Sequence, residues 1–302
     1  MTRISAICST YNGAVRIPRM IRSLLVQTTP FDELVVVDDC SSEGDVESVV
    51  KSMVPDAVVV RHPENRGIYH GVKTALEHAT GDYIVKIDDD DELTPGYCAE
   101  CRRVIGEYDY DYISFPQHRK YPGNDEIMAN SLGDRPFDIR KAGSCLPLFF
   151  SKPQPWYTTG KCVKSGIWTE CVDGSIPYGT VLDDVFFSLK MHALSKSYIH
   201  LDGGEGYIYW FGIGYWSGEA KSITLEKFRK VVEMRWLEYH SNRDFLKSHG
   251  FDEKWSNMLY SRCDIGTLYD LIQKLPVQDV PAAIRFLSGR FMMFPVPRES
   301  VK

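Results

Sequence analysis

Residues 83–91 read Tyr-Ile-Val-Lys-Ile-Asp-Asp-Asp-Asp, a largely apolar run that stops at four consecutive aspartates, Asp88 to Asp91. The run is typical of a buried β-strand, so the carboxylates are expected at the strand's end. Carboxylates this close raise one another's pKa unless a cation neutralises them, and Mg²⁺ and Mn²⁺ prefer oxygen ligands. The stretch predicts either a cation site or an acidic loop facing water. The first is favoured, because α/β sheets bind ligands at this edge.

The residues before this stretch alternate between strand and helix patterns. Strand patterns occupy 4–8, 34–37, 57–60 and 83–87, and helical patterns occupy 17–26, 46–53 and 71–78. Such alternation predicts right-handed β-α-β units and a mostly parallel sheet. Polar clusters follow three of the strands, at Ser9–Asn12, Asp38–Asp39 and Asp88–Asp91. Because the carboxyl ends of parallel strands share one edge, we expect the three clusters to converge.

The chain changes character after residue 110. Residues 116–160 are rich in proline, glycine and aromatic residues, which indicates irregular, functional loop structure. A helical pattern follows at 181–194, a strand pattern at 198–201 and a Gly/aromatic loop at 203–218. From residue 225 onward the pattern is helical, with charged and apolar faces.

Composition favours a soluble globular protein. The 302 residues are 43% hydrophobic and 25% charged, with a net charge of -6, which argues against broad nucleic-acid binding through a basic face. The eight cysteines are scattered, and we expect free thiols in a reducing cytosol. No leader pattern is visible, and no apolar run approaches the roughly 18 residues of a membrane span. The sequence therefore predicts a cytoplasmic location.

The predicted site fits a donor that carries phosphate. An aspartate can accept hydrogen bonds from a nucleobase or a ribose, Tyr11 can stack on a base, and a carboxylate-held metal can neutralise a diphosphate leaving group. The chain lacks the G-x-x-x-x-G-K-[ST] cradle, and no G-x-G-x-x-G follows the first strand. A P-loop is thereby excluded, and a dinucleotide-binding Rossmann site is disfavoured.

Motifs in a fixed order resemble those of family 2 glycosyltransferases of the GT-A fold. They are the first strand and loop at 4–12, V-V-D-D-x-S at 36–41, N-x-G at 65–67, D-x-D-D at 88–91, a D-D-V-F-F-x-x-K form of the helix-opening segment at 183–190 and a closing segment at 206–224. The resemblance covers roughly residues 3–224. It implies an α/β fold of GT-A type, with a Rossmann-like, mostly parallel central sheet flanked by helices.

The resemblance also implies a domain layout. A catalytic domain is expected at 1–224, with a nucleotide-sugar binding half at 1–110 and an acceptor-binding half at 111–224. A helical C-terminal extension is expected at 225–302.

Residue roles follow from the motif positions. Asp184 matches the family's catalytic base, and Asp90 matches the direct ligand of an Mn²⁺ or Mg²⁺ ion, with Asp88 as a second contact to the metal or its waters. The implied donor-binding residues are Ser9, Thr10, Tyr11, Asp39, Arg66, Asp88 and Asp89. The implied acceptor-side residues are Trp156, Lys161, Asp183 and Trp210.

The chain departs from the family pattern at two places. Asp183 stands where a glutamate is usual, and residues 210–216 lack the arginine and histidine often found in the closing segment. A diphosphate-binding lid arginine and a histidine metal ligand are therefore in doubt, and His200 is a poor substitute for the latter.

Structural interpretations compete with several of these roles. Tyr11 can be a packing aromatic, and Asp38 a turn cap. Asp183 and Asp184 can be a charge pair at a helix N-terminus. Lys73 fits an exposed helix lysine better than a phosphate contact.

The leading hypothesis is a metal-dependent, inverting, hexosyltransferase-like enzyme that uses a nucleotide sugar, most plausibly a UDP-sugar. The alternatives are a nucleotidyltransferase on a similar fold and a non-catalytic nucleotide-sugar binder. Processive polysaccharide synthesis is disfavoured because no Q-x-x-R-W is present. The acceptor stays open between a glycan, a lipid-linked sugar, a protein and another polymer. The apolar, basic-flanked segment 285–294 favours packing on the catalytic domain or on a second subunit of a homo-oligomer over contact with a membrane surface.

Overall fold

A computed structural model of the chain describes residues 2–124, 126–129, 137–151, 157–172, 176–178, 184–212, 223–259 and 271–291. The chain divides into two compact units, 1–218 and 219–302. The domain boundary predicted from the sequence lies a few residues further along the chain.

Strands and helices alternate through the first half of unit 1. The strands of this unit are β1 (Ile4–Thr10), β2 (Glu33–Asp38), β3 (Val58–Arg61), β4 (Tyr83–Lys86), β5 (Glu92–Leu93), β6 (Tyr112–Ser114), β7 (Gln117–Lys120), β8 (Met128–Ala129), β9 (Phe137–Ile139), β10 (Lys161–Lys164), β11 (Tyr198–His200) and β12 (Tyr207–Trp210). The helices are α1 (Ile17–Leu25), α2 (Val46–Met53), α3 (Ile68–His78), α4 (Tyr97–Glu107), α5 (Leu146–Phe150), α6 (Ser165–Cys171) and α7 (Asp184–Leu194).

An eight-stranded sheet forms the centre of the described part of unit 1, in the order β3-β2-β1-β4-β10-β6-β11-β9. Strands β1 to β4 pair in parallel, whereas β10 and β9 run antiparallel to their neighbours. The chain builds outward from β1 to β3 and then returns to place β4 on the other side of β1. This reversal opens a crevice between the carboxyl ends of β1 and β4, the position at which open α/β sheets bind ligands.

Apolar side chains explain why these elements pack. Strand β2 carries Val35, Val36 and Val37, all fully buried, as expected for a central strand covered on both faces. Helix α1 buries Ile17, Met20 and Ile21, which recur at helical spacing and form one face. The α/β architecture predicted from the sequence is confirmed.

A second sheet, in the order β5-β12-β7-β8, stands next to the aspartate stretch. The sequence predicts a loop throughout 203–218, and that prediction is wrong for residues 207–210. These residues form β12, which pairs in parallel with β7 and antiparallel with β5. Tyr207 is fully buried and Ile208 nearly so, so burial of this short apolar run outweighs the loop tendency of its glycine-rich surroundings.

Unit 2 is helical where the structure describes it, with α8 (Leu225–Ser248), α9 (Glu253–Leu259) and α10 (Val280–Phe291). Thr224 caps α8 by accepting a hydrogen bond from the Lys227 backbone N–H at 3.1 Å. Ala283 and Leu287 of α10 cluster with Phe228 of α8, so the described part of segment 285–294 packs within this unit. A membrane-spanning candidate, long and apolar enough to cross, is not found among the described helices.

Candidate active site

Three strand ends meet in the crevice, as the sequence predicts. The Asp39 backbone N–H donates to the Thr10 carbonyl at 2.8 Å, which joins the end of β1 to the end of β2. The Asn12 backbone N–H donates to Ser41 Oγ at 2.8 Å. On the other side, the Thr10 hydroxyl donates to the Asp89 carboxylate. The loop after β1 therefore ties both acidic clusters into one site.

Asp89 is buried and held by an arginine of the same loop. Arg16 donates to it in a bidentate arrangement, from Nε at 3.1 Å and from Nη2 at 2.9 Å. Gly13 leaves room for this contact, because a Cβ at that position would lie 1.9 Å from Thr10 Oγ1 and 2.0 Å from Asp89 Oδ2. Asp89 is predicted to bind the donor, but the contacts of its carboxylate are with the protein's own donors.

Asp91 is fully buried and supported by β12. Tyr207 Oη donates to one of its oxygens at 2.6 Å and the Trp210 backbone N–H donates to the other at 2.8 Å. The pKa of Asp91 is raised well above its ordinary value by burial and then by the charges of Asp88 and Asp90. Asp91 therefore acts as a structural bridge to the second sheet.

Trp210 is held tightly beside this stretch. Its Nε1 donates to Glu92 at 2.6 Å, and the cationic groups of Arg19 and Lys120 lie 4.2 and 4.8 Å from its ring centroid. Trp210, which is predicted to lie on the acceptor side, is partly exposed beside the aspartate stretch.

Asp88 and Asp90 face the more open part of the crevice. Asp88 keeps 37% of its side chain exposed while accepting a hydrogen bond from Lys86 Nζ at 2.9 Å. Asp90 has no side-chain partner among the described residues, although Arg19 donates to its backbone carbonyl. Burial, followed by the charges of Asp88 and Asp89, raises the pKa of Asp90 to about 6. A cation bound at Asp90 would relieve the burial and repulsion of this carboxylate.

Asp38 and Asp39 are buried and fully engaged. Asp38 accepts from the Ser41 backbone N–H at 2.9 Å and pairs with Arg61. Asp39 is surrounded by three donors, His62 Nδ1 at 2.7 Å and the backbone N–H groups of residues 66 and 67 at 2.8 Å each. The predicted contact of Asp39 with a nucleobase would need a further hydrogen bond to this carboxylate, which is almost inaccessible.

The other predicted donor residues lie around the same edge. Tyr11 is 47% exposed, which leaves a ring face available for stacking rather than for core packing. Ser9 packs against Gly71 of α3, where a Cβ would lie 1.9 Å from Ser9 Oγ. Arg66 lies over the Tyr178 ring at 4.9 Å and lines a cavity of about 440 Å³. Lys73, on the wall of that cavity, pairs with Glu77, as expected for a helix lysine.

Asp184 opens α7 and is fixed by the segment that leads into β10. Its Oδ1 accepts from the Thr158 backbone N–H at 3.0 Å and from Thr158 Oγ1 at 3.3 Å. The residue Asp184 is exposed to solvent. Its carboxyl group is nevertheless partly desolvated by the surrounding protein, which raises its pKa. The Lys86 charge opposes that rise and the Asp88 charge adds to it. Asp184 therefore lies within electrostatic reach of the aspartate stretch.

Other predicted residues lie elsewhere. Lys161 is fully buried, with Nζ donating to Ser114 Oγ at 2.9 Å, and this core position is at odds with an acceptor-side contact. His200 is also buried and contacts Ser114 Oγ through Nδ1 at 2.9 Å, in keeping with a structural histidine. Trp156 and Asp183 lie outside the described residues.

The sequence interpretation missed several groups that shape the site. Arg16, Lys86, Thr158 and Tyr207 each contact one of the acidic side chains. Lys86 gave a signal, since a charged residue inside an apolar strand is unusual unless it is paired. Arg16, Thr158 and Tyr207 gave none, because their roles depend on tertiary contacts.

A metal ion bound here would need ligands besides the described protein side chains. Within the described ranges, no three His, Cys, Asp or Glu side chains are grouped closely enough to hold a metal ion by themselves. Mg²⁺, however, is usually held by one or two carboxylates together with substrate phosphates and waters. The unpaired Asp90 and the part-exposed Asp88 fit that kind of site.

Solved structures of S. aureus TarS share this fold. The S. aureus TarS structure of residues 1–349 in complex with UDP-GlcNAc superposes with a TM-score of 0.67 at 19% identity, covering 97% of this chain and 82% of that chain. The complex of the same TarS fragment with UDP gives a TM-score of 0.62 at 18% identity, covering 97% of this chain and 81% of that chain. At such identities the likeness establishes the fold, which is the predicted GT-A type.

Curated relatives match mainly over shorter stretches. An uncharacterized glycosyltransferase of Haemophilus influenzae is 32% identical over 102 residues, 34% of this chain and 34% of that protein. The GalNAc(5)-diNAcBac-PP-undecaprenol beta-1,3-glucosyltransferase of Campylobacter jejuni is 32% identical over 100 residues, 32% of each chain. The chain thus aligns with about a third of the length of these two relatives. The family model for glycosyl transferase family 2 matches residues 5–168, more than half of the chain, and the chain belongs to that family.

Proposed function

We propose that this family 2 glycosyltransferase transfers a sugar from a UDP-sugar to an acceptor hydroxyl with inversion at the anomeric carbon. Two features of the structure support the proposal: Asp90 lacks a side-chain partner among the described residues and has a raised pKa, and Asp184 lies within electrostatic reach of the same aspartate stretch. In this proposal Asp90 holds the cation and Asp184 acts as the base. TarS, which shares the fold, binds UDP-GlcNAc, and this supports a UDP-sugar as the donor to test first.

Asp184 suits proton abstraction. Thr158 occupies Oδ1, which leaves Oδ2 for the acceptor hydroxyl. Its pKa is raised by the surrounding protein, and a base whose pKa lies nearer the working pH is more effective. As the acceptor oxygen bonds to the anomeric carbon, its proton passes to Asp184, and the bond to the diphosphate breaks with its electron pair on the leaving group.

Asp90, with help from Asp88, is the proposed holder of Mn²⁺ or Mg²⁺. When bound, such an ion supplies Lewis-acid neutralisation of a diphosphate. Arg16 and Lys86 keep the two neighbouring carboxylates, Asp89 and Asp88, oriented. Tyr11 and Arg66 are the proposed contacts for the nucleoside, and Asp39 holds the backbone of Arg66 beside them.

Replacing Asp184 by asparagine tests the base assignment. Release of UDP from UDP-GlcNAc, with water as the acceptor, is expected to fall by roughly 10²–10⁴-fold, the usual contribution of a positioned acid or base. The dissociation constant of UDP-GlcNAc, measured by calorimetry, is expected to change by less than about twofold, since only proton transfer is lost.

Glu253→Gln is the matched control, because Glu253 is also an acidic first residue of a helix, α9. If Asp184 only stabilised the N-terminus of α7, both variants would lose a similar few tenths of a kcal/mol to about 1 kcal/mol of stability and both would keep their turnover. That outcome would overturn the assignment.

A further inference from the structure

Lys86 is a buried lysine beside the proposed active site. Its side chain is 1% exposed, and its strand neighbours Tyr83, Val85 and Ile87 belong to the apolar core. Side chains alternate along a strand, so Lys86 points to the opposite face of the sheet from Val85 and Ile87. An ammonium removed from water is very costly unless it is paired and hydrogen-bonded. The contacts of the Lys86 ammonium group must therefore offset the cost of its burial.

The contact is with the aspartate stretch. Lys86 Nζ donates to Asp88 Oδ1 at 2.9 Å, while 37% of the Asp88 side chain stays exposed. One oxygen of Asp88 is thus tied to the protein, while part of the carboxylate side chain stays accessible to solvent. The Lys86 charge also acts on Asp184, across the site.

The backbone around Lys86 is also tied to the Asp184 side of the site. The Lys86 carbonyl accepts a hydrogen bond from the Gly160 backbone N–H at 2.9 Å. Two residues before Gly160, Thr158 holds Asp184. Lys86 therefore lies where the segment that positions Asp184 meets the strand that positions Asp88.

We propose that Lys86 is a positioning residue for sugar transfer, an internal cation that fixes Asp88 between the donor and Asp184 and leaves Asp90 as the principal carboxylate for the external cation. This inference rests on the proposed function of Asp88, Asp90 and Asp184. The proposal predicts that Lys86 has opposite effects on metal binding and on turnover. A residue that occupies Asp88 with its own positive charge should weaken metal binding and at the same time promote turnover.

Lys86→Met keeps most of the length of the side chain and removes the charge. Asp88 is partly exposed, so water can solvate its carboxylate once the ammonium group is removed. We expect Mn²⁺, titrated by electron paramagnetic resonance of the free ion, to bind roughly threefold to tenfold more tightly, because one nearby positive charge is gone. UDP release from UDP-GlcNAc under saturating Mn²⁺ and donor is expected to fall by about tenfold or more. Lys86→Arg should restore much of both values.

Lys161→Met is the matched control. Lys161 is an equally buried strand lysine, and its Nζ donates to Ser114 Oγ. We expect this variant to lose thermal stability and to keep the wild-type Mn²⁺ affinity. If Lys86→Met does not fold, Lys86→Gln gives the same measurement with a neutral donor to Asp88, and the same two opposite changes are expected.

An Mn²⁺ affinity that is unchanged or weaker in folded Lys86→Met or Lys86→Gln would overturn the proposal, and so would an unchanged rate of UDP release in either variant. A wild-type protein that bound Mn²⁺ but released no UDP would instead contradict the proposed function. The Mn²⁺ titration would then still decide whether Lys86 competes with the external cation.

Discussion

The acidic clusters at the ends of β2 and β4 have the same residue type and the same place in the sheet, but their carboxylates are satisfied to different degrees. Asp38 and Asp39 are buried, and each accepts from donors that the protein supplies. In the β4 cluster, Asp90 lacks a side-chain partner among the described residues and its pKa is raised to about 6. A saturated cluster organises the backbone, whereas an unsaturated one leaves an acceptor for a ligand. Aspartate count alone therefore does not locate a cation site.

The contrast predicts that the β2 cluster matters most for stability. Asp39→Ala removes the acceptor shared by His62 and by two backbone N–H groups, all buried or half-buried. We expect a loss of about 2–4 kcal/mol, as for other buried charged hydrogen-bond partners. For a domain of this size the Tm should fall by roughly 5–12 °C, measured by calorimetry without nucleotide. A Tm within about 1 °C of the wild type would show that the cluster is not saturated in the way described.

Replacing an aspartate of the β4 cluster should have the opposite effect on stability. The pKa of Asp90 is higher in the folded protein than its ordinary value of 3.8. Ionised Asp90 therefore destabilises the fold at neutral pH, and this penalty disappears as the pH falls through about 6 towards 4. Asp90→Asn, in the presence of chelator, should raise the Tm at pH 8 by about 2–4 °C, the shift for roughly 1 kcal/mol. By pH 4 the two proteins should unfold together.

A constant Tm difference between pH 8 and pH 4, or a lower Tm for Asp90→Asn at pH 8, would contradict the charge repulsion in this cluster. Asp82→Asn, at an exposed aspartate before β4, is a suitable control for the loss of one surface charge.

The meeting of the two clusters was predictable, but their different states were not. The carboxyl ends of parallel strands lie at one edge of a sheet whatever their side chains are. The proximity of the residues around Thr10, Asp39 and Asp89 could therefore be predicted from the sequence. Saturation depends on partners such as Arg16 and Tyr207, which reach the β4 cluster from other elements. No local pattern specifies those contacts.

The secondary-structure prediction was wrong at β12 for a related reason. The run Tyr207–Trp210 lies between glycine-rich segments, and its strand conformation depends on pairing with β7 and β5. Lys86 is the instructive middle case. Its charge inside an apolar strand is a signal present in the sequence, but only the fold shows that Asp88 is its partner.

The central claim is that the unsaturated β4 cluster binds the donor's diphosphate through a divalent cation held by Asp90. Its most direct test is a calorimetric titration of UDP into the wild type and into Asp90→Ala, each with Mn²⁺ and with EDTA. We predict that Mn²⁺ tightens UDP binding by about tenfold or more in the wild type, a difference of at least roughly 1.4 kcal/mol, and that Asp90→Ala loses this gain. Equal UDP affinity of the wild type with Mn²⁺ and with EDTA would contradict the claim.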